Sequence, residues 1–192
     1  MPTLVLASDS PRRALLLATA GFTFDVQSPD VVETIPQGEP ATESVLRLAG
    51  LKVAAVERSA HEVVLGADTM VVVDGEQLGK PTDRDDALRM LTLLSGRTHS
   101  VLTGWVTLGD DGERFGVAES RVTFKELSVK VAEAYIDDAQ PFDKAGAYAL
   151  QGEKGRLIER VDGSRANVMG LPLRDVAHAL SDLGIDRSAP HG

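Results

Sequence analysis

The stretch EVVLGADTMVVVDGEQL, residues 62–78, constrains the fold of this chain most. Two β-branched runs, punctuated by Gly66 and closed by Asp74-Gly75, read as strands, and the Asp-Gly pair is a good hairpin turn. Asp68 and Thr69 sit between the runs. That is a poor place for a carboxylate, because an ionised group taken out of water has to be paired, hydrogen-bonded or bound to a cation. Two readings stay open. Asp68 either emerges at a strand end as a metal ligand or general base, or it lies in a turn and is satisfied by backbone N–H groups.

Strands and helices alternate irregularly around this stretch. TLVLA, residues 3–7, reads as a buried strand, after which Ser10 caps a helix that starts at Pro11 and is ended by Gly21. A second helix follows Pro40, with Thr42 as its cap and Val45, Ala49, Val53 and Val56 at three- and four-residue spacing. A third opens at Thr82, places Asp85 at the capping-box position, turns Leu88, Leu91 and Leu94 inward and stops at Gly96. Residues 98–127 read as a long hairpin turning at Asp111-Gly112, followed by a short helix over 128–139 and a strand in RLIERVDG. A final helix over 172–183 carries Leu173, Val176, Leu180 and Leu183 on one face. This order predicts a mixed α/β fold without the βαβ repeat of a doubly wound sheet. A single folded unit is expected over 1–186, with a disordered tail at 187–192.

Charge and composition remove several classes of function. A formal net charge of −9 repels nucleic acids and anionic membranes, so an anionic ligand has to be caught by a local basic cluster. The absence of cysteine excludes disulfides, zinc–thiolate sites, iron–sulfur clusters and a cysteine nucleophile. The apolar run at the N-terminus precedes its basic pair, the reverse of a secretory leader, and no run approaches the ~18 apolar residues of a membrane span. The expectation is a soluble, cytoplasmic protein.

LASDSPRRALL places Arg12 and Arg13 on the first turn of a helix, where the dipole already supplies positive charge. Each exposed cation there costs roughly 0.3–1 kcal/mol. An anion of high charge seated between them removes the cost, and phosphate is the natural candidate, with the Ser8 and Ser10 hydroxyls as further donors. The competing reading sends both arginines into solvent to pair with carboxylates, Asp9 among them. Lys80 in LGKPT suggests a phosphate loop, but Asp74 stands where a Walker A motif needs glycine and Pro81 where it needs Ser or Thr. The glycines between residues 146 and 170 imply turns or close approaches, and Lys144, Gln151 and Asn167 are candidates to line a pocket or simply to be solvated. His61, His99, His178 and His191 lack metal-ligand spacing, and no GxSxG or GxGxxG follows a strand.

Residues 6–16, 65–104 and 142–173 together resemble the Maf proteins, nucleoside triphosphate pyrophosphatases also described as septum-formation inhibitors. The resemblance implies an inosine-triphosphatase-like (Maf/Ham1-type) α/β fold, an elongated mixed sheet with flanking helices and two lobes around a central cleft, often in homodimers. It implies hydrolysis of a nucleoside triphosphate to the monophosphate and pyrophosphate with Mg²⁺ or Mn²⁺. The family's catalytic acid falls on Asp68, and its substrate-binding positions on Ser8, Arg12, Arg13, Lys52 and Lys80. Glu33 and Asp68 match the metal-binding carboxylates. Arg12, Thr69 and Gln151 match the pattern of members acting on dTTP and UTP, whereas Asp9 departs from the small or neutral residue expected there. In the mechanism so implied, Asp68 is the base for metal-assisted attack of water at the α-phosphorus. Two rivals remain, a non-catalytic nucleotide-binding regulator of cell division and a phosphomonoesterase.

Overall fold

The computed structural model describes residues 2–151 and 156–187. Of the tail expected at 187–192, all but Arg187 lies outside the described residues. Strands β1 (Thr3–Ala7), β2 (Phe24–Gln27), β3 (Glu62–Val73), β4 (Glu76–Leu78), β5 (Thr98–Gly109), β6 (Gly112–Phe124) and β7 (Ile158–Asp162) alternate with helices. The helices are α1 (Pro11–Thr19), α2 (Ala41–Ala54), α3 (Arg84–Leu94), α4 (Val129–Ala139), α5 (Arg165–Val168) and α6 (Leu173–Asp182). The strands form a seven-stranded sheet in the order β2-β1-β3-β5-β6-β7, with β4 on β3. β1 is parallel to both β2 and β3, Leu4 standing opposite Phe24 and Val63, while β3/β4 and β6/β7 are antiparallel. The fold is mixed α/β, as expected. Among the described residues no helix is long and apolar enough to cross a membrane.

The chain divides into two compact units, the first comprising Met1–Asp68, Thr103–Ala118 and Gly170–Gly192, the second Thr69–Leu102 and Glu119–Met169. In the first unit, Val5, Ala7, Val64 and Val106 of the sheet bury against Ala49 and Val53 of α2. Two glycines let that helix come close. A Cβ on Gly66 would stand 2.6 Å from the Ala49 carbonyl oxygen and 2.8 Å from Val53 Cγ2, and one on Gly104 would stand 2.5 Å from the Val45 carbonyl carbon. Gly66 therefore does not break the apolar stretch. β3 is one continuous strand, and Asp68 lies within it rather than at its end.

In the second unit, Val71 and Val73 of β3, Leu91 and Leu94 of α3, Phe124 of β6 and Tyr135 and Ile136 of α4 share one apolar core. Four helix starts can be compared with expectation. Ser10 caps α1 and Ser128 caps α4, each hydroxyl accepting an N–H from three residues on. α2 begins at Ala41 without a side-chain cap, because Pro40, not Thr42, occupies the cap position. α3 begins at Arg84, where Asp83 accepts the Asp86 N–H (2.8 Å) and Asp86 Oδ2 reaches back to the Thr82 N–H (3.1 Å). The reciprocal cap thus exists, shifted by one residue from Asp85 to Asp86. β4 follows the Asp74-Gly75 hairpin turn as expected, whereas β2 and α5 carried no periodic signal; the residues of β2 are all exposed or half-buried.

His99 of β5 is 2% exposed, and burial holds its pKa at about 4 against an ordinary value of 6.5. The unfolded chain takes up this proton first, so the native state loses stability as pH falls from 6.5 towards 4, by about 3 kcal/mol for a shift of this size. Urea titrations of the wild type and His99→Gln across that window should differ by this slope. Gly66→Ala should lower stability by about 1–3 kcal/mol, since the new methyl must push α2 off the sheet. Equal urea midpoints for Gly66→Ala and the wild type would contradict the close approach.

Candidate active site

Ser8 leaves β1 buried, and its hydroxyl accepts the Ser10 N–H (3.2 Å) and an Arg13 guanidinium N–H (3.2 Å). Arg13 Nε donates to the Gly170 carbonyl at 2.8 Å. The solvent-facing alternative is thereby excluded for Arg13, which is 8% exposed, while Arg12 beside it is half-buried and Asp9 is exposed. Burial pushes the Arg13 guanidinium below its ordinary pKa, Asp68 opposes that shift, Arg12 adds to it and Glu33 opposes it again. Arg13 thus feels the charges of Asp68, Arg12 and Glu33. α1 has no acidic residue in its first turn, so its dipole and the two arginines carry charge of one sign there.

Lys52 lies in the last turn of α2, where a cation faces the negative end of the helix dipole. Its Nζ donates to Asp68 Oδ1 at 2.5 Å and pairs with Glu33 Oε1 at 2.7 Å. The Lys52 and Asp68 side chains are 8% and 12% exposed, against 36% for Glu33, which sits in the irregular segment between β2 and α2. Lys52, rather than backbone N–H groups in a turn, satisfies the carboxylate that looked misplaced in the sequence.

Six of the expected residues, Ser8, Arg12, Arg13, Glu33, Lys52 and Asp68, thus belong to the first unit. Thr69, Lys80 and Gln151 belong to the second; Thr69 is half-buried in β3, and Lys80 and Gln151 are exposed. Of the other candidates, Lys144 pairs with Asp143, and Asn167 is fully buried, donating to the Val101 carbonyl and Ser120 Oγ at 3.0 Å each. The Gly170 carbonyl was not foreseen, since a backbone acceptor 157 residues from Arg13 leaves no mark in the pattern of side chains.

Two carboxylates converge on one cationic nitrogen, and their oxygens are the hard ligands that Mg²⁺ or Mn²⁺ prefers. Among the described residues no group of three or more His, Asp, Glu or Cys is arranged for a metal. This donor set fits a cation that keeps waters and takes substrate oxygens, not a closed protein cage. Chemically, the arrangement can hold a polyanion at the start of α1 and present it with a carboxylate able to accept a proton from water.

The family described as Maf-like protein matches residues 3–183. Relatives named dTTP/UTP pyrophosphatase align over nearly the whole length. That of Geotalea uraniireducens is 46% identical over 94% of this chain and 95% of its own. Those of Hahella chejuensis and Bacillus pumilus are 45% and 40% identical, over 95% and 96% of this chain and 92% and 98% of their own. A solved structure from Mycobacterium abscessus, titled nucleoside-triphosphatase / dITP/XTP pyrophosphatase, aligns over 95% of both chains with 15% identity and a TM-score of 0.44.

Lys52→Met leaves Asp68 without its ammonium partner. Breaking a buried pair on one side costs about 3–5 kcal/mol, and the Lys52→Met/Asp68→Asn double variant should recover part of that loss. Additive losses in a denaturation cycle would mean that the two side chains are not coupled.

Proposed function

The chain belongs to the Maf family, and from that premise we propose that it hydrolyses the α–β phosphoanhydride of dTTP and UTP to the monophosphate and pyrophosphate. The observation that carries this reading is the Asp68 carboxylate, buried within β3 and held through Oδ1 by Lys52, in the same unit as the arginine-bearing start of α1. The oxygen of water bonds to the α-phosphorus, and the bond from that phosphorus to the bridging oxygen breaks, releasing pyrophosphate. Asp68 Oδ2, the oxygen not engaged by Lys52, accepts the proton that water gives up.

Lys52 fixes the orientation of that carboxylate. Ser8, Arg12 and the positive end of the α1 dipole bind phosphate oxygens, and Arg13, tied to Ser8 and Gly170, keeps the pocket positive. Lys80 adds charge to the substrate-binding set. Thr69 and Gln151 read the base, because a glutamine amide can both donate to O2 or O4 and accept from N3–H of a pyrimidine. Glu33 and Asp68 would hold the divalent cation, Mg²⁺ or Mn²⁺, which supplies charge neutralisation on the phosphates and makes a bound water more acidic. The net charge of −9 suits an enzyme of free nucleotides in the cytoplasm and not a nucleic-acid binder.

The test incubates the protein and Asp68→Asn with Mg²⁺ or Mn²⁺ and UTP, dTTP or GTP, and assays pyrophosphate and orthophosphate separately. Pyrophosphate from UTP and dTTP is expected, with kcat lower by about 100-fold or more in Asp68→Asn, the scale of general-base catalysis. Orthophosphate as the first product would indicate a phosphomonoesterase instead. Bound but unconverted UTP would leave a non-catalytic nucleotide binder.

A further inference from the structure

Residues 146–151 of the second unit climb from the core to the surface within six positions: Gly146, Ala147 and Tyr148 are buried, and Gln151 is exposed. Backbone and side chains both hold this climb. Gly146, at φ +68, donates its N–H to the Gly79 carbonyl at 3.0 Å, and a Cβ there would meet Val71 Cγ2 at 3.0 Å. Tyr148 Oη lies 2.8 Å from His99 Nε2, and the Ala149 N–H donates to Tyr135 Oη at 3.0 Å. The rings of His99, Phe124 and Tyr148 meet edge to face, with centroids 5.1, 5.4 and 4.9 Å apart.

Packing alone does not ask for these polar atoms. Phenylalanine would fill either tyrosine site and leave the edge-to-face contacts intact, and a buried hydroxyl or imidazole costs free energy unless it is partnered. His99 Nε2 and the Tyr148 and Tyr135 hydroxyls are partnered at the same short segment, two to three residues before Gln151, while His99 Nδ1 is buried without a hydrogen-bond partner. The Gly79 carbonyl joins the same frame to the backbone next to Lys80. Buried hydrogen bonds of this kind select one geometry for the segment they anchor.

We propose that His99, acting through the Tyr148 hydroxyl, is a positioning residue for Gln151 and hence for the choice of pyrimidine over purine nucleotides. This rests on the reading above in which Gln151 contacts the base. His99 touches no reacting atom. It sets where the segment leaves the core, and the Tyr135 hydroxyl holds the next residue in line.

Steady-state kinetics of the full chain with UTP and GTP, alongside thermal melts, test this. Tyr148→Phe should fold, raise KM for UTP about tenfold, the scale of one lost hydrogen bond, and leave kcat and the KM for GTP near wild type. His99→Leu should reproduce that split, and His99→Gln, which keeps a polar atom within reach, should restore the UTP preference. An unchanged UTP-to-GTP ratio of kcat/KM in Tyr148→Phe, or equal increases in both KM values, overturns the proposal. Should Tyr148→Phe fail to fold, Tyr135→Phe removes the Ala149 bond and is held to the same two outcomes. Wild-type protein without a preference for UTP sinks the functional reading itself, whereas a wild-type preference that survives the tyrosine variants sinks only this inference.

Discussion

A carboxylate in the middle of a buried strand has to be neutralised from within the fold, and the Lys52 ammonium does this for Asp68. The pair is not there for stability, because removing two ions from water costs about as much as their attraction returns. What it provides is a carboxylate with a fixed direction. Two glycines make that possible from the other side of the contact. Gly66, two residues before Asp68 on β3, and Gly104 on β5 have no Cβ, so α2 lies against the sheet closely enough for its last turn to deliver Lys52. The geometry of an ion pair is thus set by the smallest side chains in the neighbourhood.

The two adjacent arginines divide their work. Arg13 is enclosed, with Ser8 on one side and the Gly170 carbonyl on the other, so it behaves as part of the scaffold that shapes the start of α1. Arg12, half-buried, remains closer to whatever enters from solvent. Three cations, Arg12, Arg13 and Lys52, share the first unit's site with two carboxylates, Glu33 and Asp68, which makes this region locally positive in a chain whose net charge is −9. A polyphosphate brings the anionic charge that such a region lacks.

Much of this was legible before the structure. Ser10 announced its helix because a hydroxyl followed by a helix-compatible run has one good use, and the hairpin of β5 and β6 was announced by the runs around Asp111-Gly112. Asp68 stood out because its cost was visible in one dimension. Its remedy was not, since Lys52 is 16 residues away on a different element and spacing says nothing about which helix lies over which strand. Thr42 and Asp85 each missed the helix start by a residue or so, where Pro40 and Asp83 compete for the same capping geometry. Gly66 was read as punctuation because a glycine looks alike in a sequence whether it ends a strand or admits a helix. The buried tyrosine hydroxyls resemble ordinary core aromatics until their partners are seen.

The first unit is assembled from three separated stretches of chain, and its Arg13 is fastened by a carbonyl made 157 residues later. During synthesis the second unit, ending at Met169, has all its residues before Gly170 and α6 have been added to the first. Arg13 is translated early but must wait, charged and without that acceptor, while most of the protein is made. The enclosure of Arg13 at the start of α1 is therefore a late product of biosynthesis despite being encoded near the beginning. A nascent chain completes that enclosure only when synthesis has passed Gly170.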